Sequence, residues 1–367
     1  MIKIVSILFL TFNFLSAQQN PNFNVSLQLD FQSVESLIDL GEGKFAGVQR
    51  TAELRGNQIA ARTSALLGRR EYHPEDFIRS LEQFRSGVTP SQDLFGLNST
   101  LTNFQQIKIL LTEIKKRQLE RKVIATIESF FPANARINTV IPVYFVALGN
   151  ENAAAFVRRI VWRGSIPQFV GGDEGELTIV VNLARSVQYI QQVQFQFVDM
   201  MSTLAHETFH AAFGVYQNTS SVWNEIHRHP EPYWSLAELV QNEGIAYLIS
   251  LQQHSGAALS EKQLAGAQRA IETLNTVLKE LQSPDLTVQR ARELIMNSNL
   301  SGSYEKNYGA TAGMLMAYAV DSKLGRKALT ETIEYGVGDF FKKYQELTRQ
   351  FGELPKFNDE IIRKITE

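Results

Sequence analysis

The segment LAHETFHAAFG (residues 204–214) places His206 and His210 four residues apart, with Glu207 directly after the first histidine. Four residues is close to one helical turn, so on a helix the two imidazoles share a face and can share one metal ion. Glu207 lies about 100° round the helix from His206, near enough to take a proton from water without being a ligand. The chemistry this allows is metal-assisted hydrolysis. Phe197, Val198, Met201, Leu204, Ala205, Phe209, Ala212 and Phe213 recur at helical spacing and predict a helix that stops at Gly214. The competing reading is an ordinary helix that happens to contain these three residues.

A catalytic zinc takes three protein ligands and keeps a fourth position open. The extended pattern HExxHxxGxxH is absent, because position 213 is Phe and position 216 is Tyr, which excludes a metzincin arrangement. His227 and His229 are available, but a His-Arg-His-Pro stretch reads as an exposed loop. SLAELVQNEGIAYLIS (235–250) offers a better ligand. Read as a helix, it has an apolar face of Leu236, Leu239, Val240, Ala246 and Tyr247, and Glu243 falls in the middle of it. A carboxylate there is costly unless paired, and zinc would pair it; a buried salt bridge, or a helix phased one residue differently, would also account for it. Glu238 lies about 140° away, on the expected solvent side.

HETFH followed by NEGIA, with the glutamate thirty-three residues after the second histidine, resembles the gluzincin metallopeptidases, and within that clan an uncharacterised bacterial family of zinc-dependent peptidases. The resemblance covers about residues 137–320. It implies one Zn²⁺ held by His206, His210 and Glu243, Glu207 as general base, and a peptide or protein substrate. It also implies a downstream phenol or imidazole that steadies the oxyanion. In GSYEKNYGATAGMLMAYAVDSKLG (302–325) Tyr308 is the first candidate and Tyr304 the second, although the spacing to the next glycine departs from the usual Y-x-x-G and a plain core tyrosine fits as well. The strand nearest the motif helix, 176–184, is expected to hold an extended peptide by backbone hydrogen bonds.

The rest of the chain bounds these readings. With 36 Lys and Arg against 38 Asp and Glu, a formal net charge of −2 argues against a nucleic-acid or anionic-membrane binder driven by bulk charge. The absence of cysteine removes disulfides, thiolate zinc ligands and a cysteine nucleophile. MIKIVSILFLTFNFLSAQQN has one early lysine, an apolar run of about a dozen residues and a small-residue exit, which predicts an export signal cleaved after Ala17 and a periplasmic or extracellular protein. That run is too short for a bilayer needing about twenty residues, so no integral membrane segment is expected after cleavage. Asn24, Asn98, Asn218 and Asn299 begin N-x-S/T sequons, which matter only in a host that glycosylates.

The elements that must position the site read as α+β and mostly helical. Residues 18–132 form a helical N-terminal region, with helices over 73–87 and 101–131 and the KKRQLERK run as a solvated face. A zincin-like domain occupies 133–367. Its sheet and motif helix take 133–215, with strands in 137–149 and 176–186 and a weaker one in 156–164, and a helical subdomain follows from 216. GGDEGE (171–176) reads as a turn. The chain is thus expected to be a secreted, single-zinc hydrolase acting on peptides. A protein of the same fold that binds zinc without turnover, and a helical interaction domain with a coincidental motif, are the rivals; an intact Glu207 argues against the first.

Overall fold

Apolar and polar residues alternate along FNVSLQLD, and β1 (Phe23–Asp30) buries Phe23, Val25 and Leu27 on one side. It pairs in parallel with β2 (Ile137–Val146), which pairs in parallel with β5 (Glu176–Asn182). β3 (Ala155–Arg163) runs antiparallel to β5 and turns at Gly164–Ser165 into β4 (Ile166–Phe169), where Gly164 takes the positive φ of 63° that a tight hairpin requires. The sheet order is β1-β2-β5-β3-β4. The computed structural model describes residues 20–366 apart from 45–46, 89–91, 151–153, 171–173, 189, 191, 256–257 and 300–306. The expected export signal (1–17), Tyr304 and the first half of the GGDEGE turn lie outside the described residues.

Between β1 and β2 the chain makes one long helical crossover: α1 (Gln32–Gly41), α2 (Val48–Glu53), α3 (Arg55–Leu67), α4 (Pro74–Arg85), α5 (Leu97–Thr102), α6 (Phe104–Lys116) and α7 (Leu119–Glu128). After β5 follow α8 (Leu183–Ser186), α9 (Val193–Thr219), α10 (Ser221–Ile226), α11 (Pro232–Ser255), α12 (Glu261–Leu281), α13 (Val288–Asn297), α14 (Tyr308–Leu324), α15 (Arg326–Tyr335), α16 (Val337–Gln350) and α17 (Asp359–Thr366). The molecule is α+β and mostly helical, as the sequence predicts. One contiguous buried cluster runs from Phe23 to Ile365 and joins the N-terminal helices to the rest.

Four expectations are corrected. The N-terminal region is not helical throughout, since it supplies β1 to the sheet. The helix expected over 101–131 is broken twice, and at Gln118 the backbone adopts φ +50°, which turns the chain so that Leu119 and Val123 bury their side chains in α7. The motif helix does not stop at Gly214: it continues to Thr219 because Tyr216 is still buried, its ring 6.2 Å from that of Phe131. That contact offsets a glycine penalty of about 1 kcal/mol. Finally, β5 has β2 on one side and β3 on the other, so from Ile179 to Val181 its backbone is paired on both sides and offers no free edge to a peptide.

Candidate metal centre

Two long helices carry the candidate ligands. α9 lies on the sheet; Phe209 and Phe213 are fully buried, with Phe209 against Phe131 at 5.3 Å and Phe213 edge-on to Trp223 at 5.0 Å. Pinning that side leaves His206, Glu207 and His210 half-buried on another. α11 lies between α9 and α14 and is buried on several sides. Its Gln241 donates to the Thr332 carbonyl at 2.9 Å, and Gly244 meets Gly313 of α14 backbone to backbone. Glu243 sits between these two anchored residues and so is presented to α9 on a fixed stem.

The structure brings His206, His210 and Glu243 together, with one ligand atom from each lying within 4.8 Å of the others. His206 Nε2 and His210 Nε2 are 3.0 Å apart, and Glu243 Oε2 is 3.7 Å from the first and 3.5 Å from the second. A tetrahedral zinc with bonds of 2.0–2.2 Å sets its ligand atoms about 3.3–3.5 Å apart. The observed separations bracket that spacing.

The protonation pattern makes the same point. His210 Nδ1 is 2.8 Å from Asn242 Oδ1, which only accepts, so the hydrogen is on Nδ1 and Nε2 offers a lone pair. His206 has Ser250 Oγ 3.5 Å from its Nδ1, and its Nε2 is the atom that faces His210. Two ring nitrogens 3.0 Å apart beside a carboxylate call for positive charge among them, either a proton or a metal ion. The residues present therefore fit a divalent cation.

Where no cation is bound, a proton on His210 supplies that positive charge, and a metal would displace it. Burial, reinforced by neighbouring His210, pushes the His206 imidazole down to about 3. Burial would lower His210 too, but the charge and hydrogen bond of Glu243 outweigh it and lift His210 to about 9. Burial opposes ionisation of Glu243, yet the two histidines and a hydrogen bond from Asn299 hold it below the ordinary carboxylate value. Glu207 is raised to about 7, mainly by burial, with Glu243 adding to the rise and His210 and Arg158 opposing it.

Other expected residues fall elsewhere. Tyr308 opens α14 with its ring buried, and its hydroxyl donates to the Leu294 carbonyl at 2.6 Å. An oxyanion role for Tyr308 would require breaking that bond. His227 pairs with Glu238 at 3.2 Å, and His229 stacks on Trp234 at 4.8 Å, so neither joins the trio. Glu238 also accepts from Gln217 at 2.7 Å.

Sequence reasoning missed three neighbours of the site. Asn242 was visible as the residue before Glu243. Tyr247, one turn after Glu243, reads in the sequence only as part of an apolar face; its ring meets that of His206 edge-on at 5.0 Å, and its hydroxyl accepts from Asn307 at 3.4 Å. Asn299 donates to Glu243 Oε1 at 2.6 Å across 56 residues of sequence, and no local pattern announces it.

No curated protein and no solved structure gave a match to this chain. A family model does match, across residues 48–351, a span that holds every residue of the site. The chain therefore belongs to the family described as "Putative zinc dependent peptidase (DUF5700)".

Proposed function

We propose that this protein is a zinc metallopeptidase in which His206, His210 and Glu243 hold one ion and Glu207 is the general base. The observation that carries the proposal is the convergence of two imidazole nitrogens and a carboxylate oxygen within 4.8 Å, on two helices that packing holds in place. Zinc bound there would act as a Lewis acid towards a scissile carbonyl and lower the pKa of water towards neutrality. The chain's own residues do the rest. Glu207, with its carboxyl held near 7 by burial, is suited to take a proton from the attacking water and pass it to the departing amine. A cation beside Glu207 favours its ionised form and so prepares it to accept that proton. Asn242 accepts from His210 Nδ1 and so turns that ring's Nε2 inward, where His206 Nε2 lies 3.0 Å from it.

The family description supports a peptide or protein as the substrate class. Export is part of the same proposal, resting on the apolar N-terminal segment and its exit at Ser16-Ala17. Mature protein beginning at Gln18 in N-terminal sequencing would support export, and an intact Met1 in secreted material would refute cleavage.

The deciding experiment combines elemental analysis of purified protein with hydrolysis of a random peptide library before chelation, after chelation and after zinc is restored. The expected result is one zinc per chain and cleavage that disappears and returns with the metal. Cleavage that survives complete chelation overturns the proposal, as does a chain that takes up no zinc.

A further inference from the structure

Glu243 has two carboxylate oxygens, and the structure gives them different partners. Oε2 faces His206 and His210 at 3.7 and 3.5 Å, while Oε1 accepts from Asn299 Nδ2 at 2.6 Å. The donor lies just beyond the end of α13 and is held from both sides. Ser298, beside it, is fully buried, and its carbonyl accepts from the backbone N–H of Gly309 at 2.9 Å and of Ala310 at 3.4 Å. Its hydroxyl donates to the Ile295 carbonyl at 2.6 Å. Tyr308 adds a bond from the first residue of α14 to Leu294 in the last turns of α13. A side chain on Gly309 would come within 2.9 Å of Ser298 Cβ, so the two segments meet too closely for anything but glycine without a shift. The amide of Asn299 is thus delivered to Glu243 from a clamped junction.

We propose that Asn299 is a positioning residue of the metal centre: it occupies Glu243 Oε1, leaves Oε2 as the single ligand atom, and so keeps a coordination position open for substrate. The inference rests on the reading of the trio as a zinc site. Its physical basis is the chemistry of carboxylate ligands. An unrestrained glutamate can bring both oxygens to one ion and fill the position that a hydrolase needs free. A charge-assisted hydrogen bond to one oxygen opposes that rotation. Partners of this kind fix ligand orientation, and losing one typically weakens metal binding by about 10- to 100-fold.

The test uses the full chain as Asn299→Ala and as Asn299→Asp. The aspartate variant keeps the shape of the asparagine but cannot donate, so it separates the hydrogen bond from packing; circular dichroism and thermal melts establish that each variant folds. Metal affinity is read by competition with a chromogenic chelator, and coordination number by the visible spectrum of the cobalt-substituted protein. Both variants are expected to bind zinc about 10- to 100-fold more weakly. Their cobalt bands are expected to weaken as the ion passes from four- to five-coordinate, and at saturating metal kcat should fall while KM changes little. Folded variants with the wild-type affinity and the wild-type cobalt spectrum overturn the role of Asn299 while leaving the zinc site standing. Wild-type protein that binds neither metal overturns both.

Discussion

Gly244 and Gly313 touch backbone to backbone where α11 crosses α14, and the third candidate ligand, Glu243, is the residue next to that contact. A Cβ placed on Gly313 would lie 1.9 Å from the Val240 carbonyl oxygen, and one on Gly244 would lie 2.3 Å from the Gly313 carbonyl carbon. Gly313→Ala is therefore expected to force the helices apart, cost about 1–3 kcal/mol of stability and loosen zinc through displacement of Glu243. Gly214→Ala is the control, because a Cβ there meets nothing within 4 Å inside α9. It should gain up to about 1 kcal/mol. Thermal melts of both variants check the pair; a Gly313→Ala protein as stable as wild type would refute the crossing.

Glu207→Gln is expected to keep the fold and the metal while losing at least about 100-fold in peptide hydrolysis, since proton transfer by a positioned group contributes that much. Zinc content and kcat are the measurements. A variant that retains most of the wild-type rate removes Glu207 from the role of base.

Glu243→Ala leaves two imidazoles to hold the ion and should lose zinc readily to a competing chelator. Glu238→Ala should not, because Glu238 spends its oxygens on Gln217 and His227. Equal zinc retention by the two variants would remove Glu243 from the ligand set.

Tyr247→Phe and Tyr308→Phe separate two phenols. Tyr308 gives its hydroxyl to a buried carbonyl, so its loss is expected to lower stability by about 1–3 kcal/mol by leaving Leu294 O without that donor. Tyr247 lies against His206, and its loss is expected to lower kcat with little change in melting temperature. A fall in kcat of about 100-fold in Tyr308→Phe at unchanged stability would return the oxyanion role to Tyr308.

His254 of α11 bonds Asp199 of α9 at 3.0 Å, tying together the helices that carry the site, and this bond, ahead of the opposing effect of burial, raises the His254 pKa. Because the folded value lies above the unfolded one, the stabilisation is fully present below about pH 6.5 and is lost as pH rises through the raised value. The stability difference between wild type and Asp199→Asn should therefore shrink as pH increases across that range. A difference that grows with pH would contradict the assignment.

The parts of the site legible in the sequence were those with a local physical signature. His206 and His210 declared themselves by helical spacing, and Glu243 by being a carboxylate on an apolar face. Asn299 carries no such mark: its role exists only because α13 and α14 meet beside α11. The strands were legible where β-branched residues cluster, as in β2 and β5. β1 alternates just as visibly at Phe23, Val25 and Leu27, but its partner lies more than a hundred residues away, so no local signal says that it joins the sheet. The left-handed Gln118 and the helical Gly214 were not legible, since in both cases tertiary burial of a neighbour overrides the local preference.

The hydrogen bond from Asn299 also bears on where this protein can be made. Asn299-Leu300-Ser301 is an acceptor sequence for oligosaccharyl transfer, and the nitrogen that would receive the sugar is the Nδ2 that holds Glu243. A eukaryotic secretory host adds the glycan as the chain emerges, before α13, α14 and α11 can close around that amide. The sugar would then occupy the space the carboxylate needs, and the chain would fold with a damaged centre. Production in a host without N-glycosylation keeps this nitrogen free for its partner.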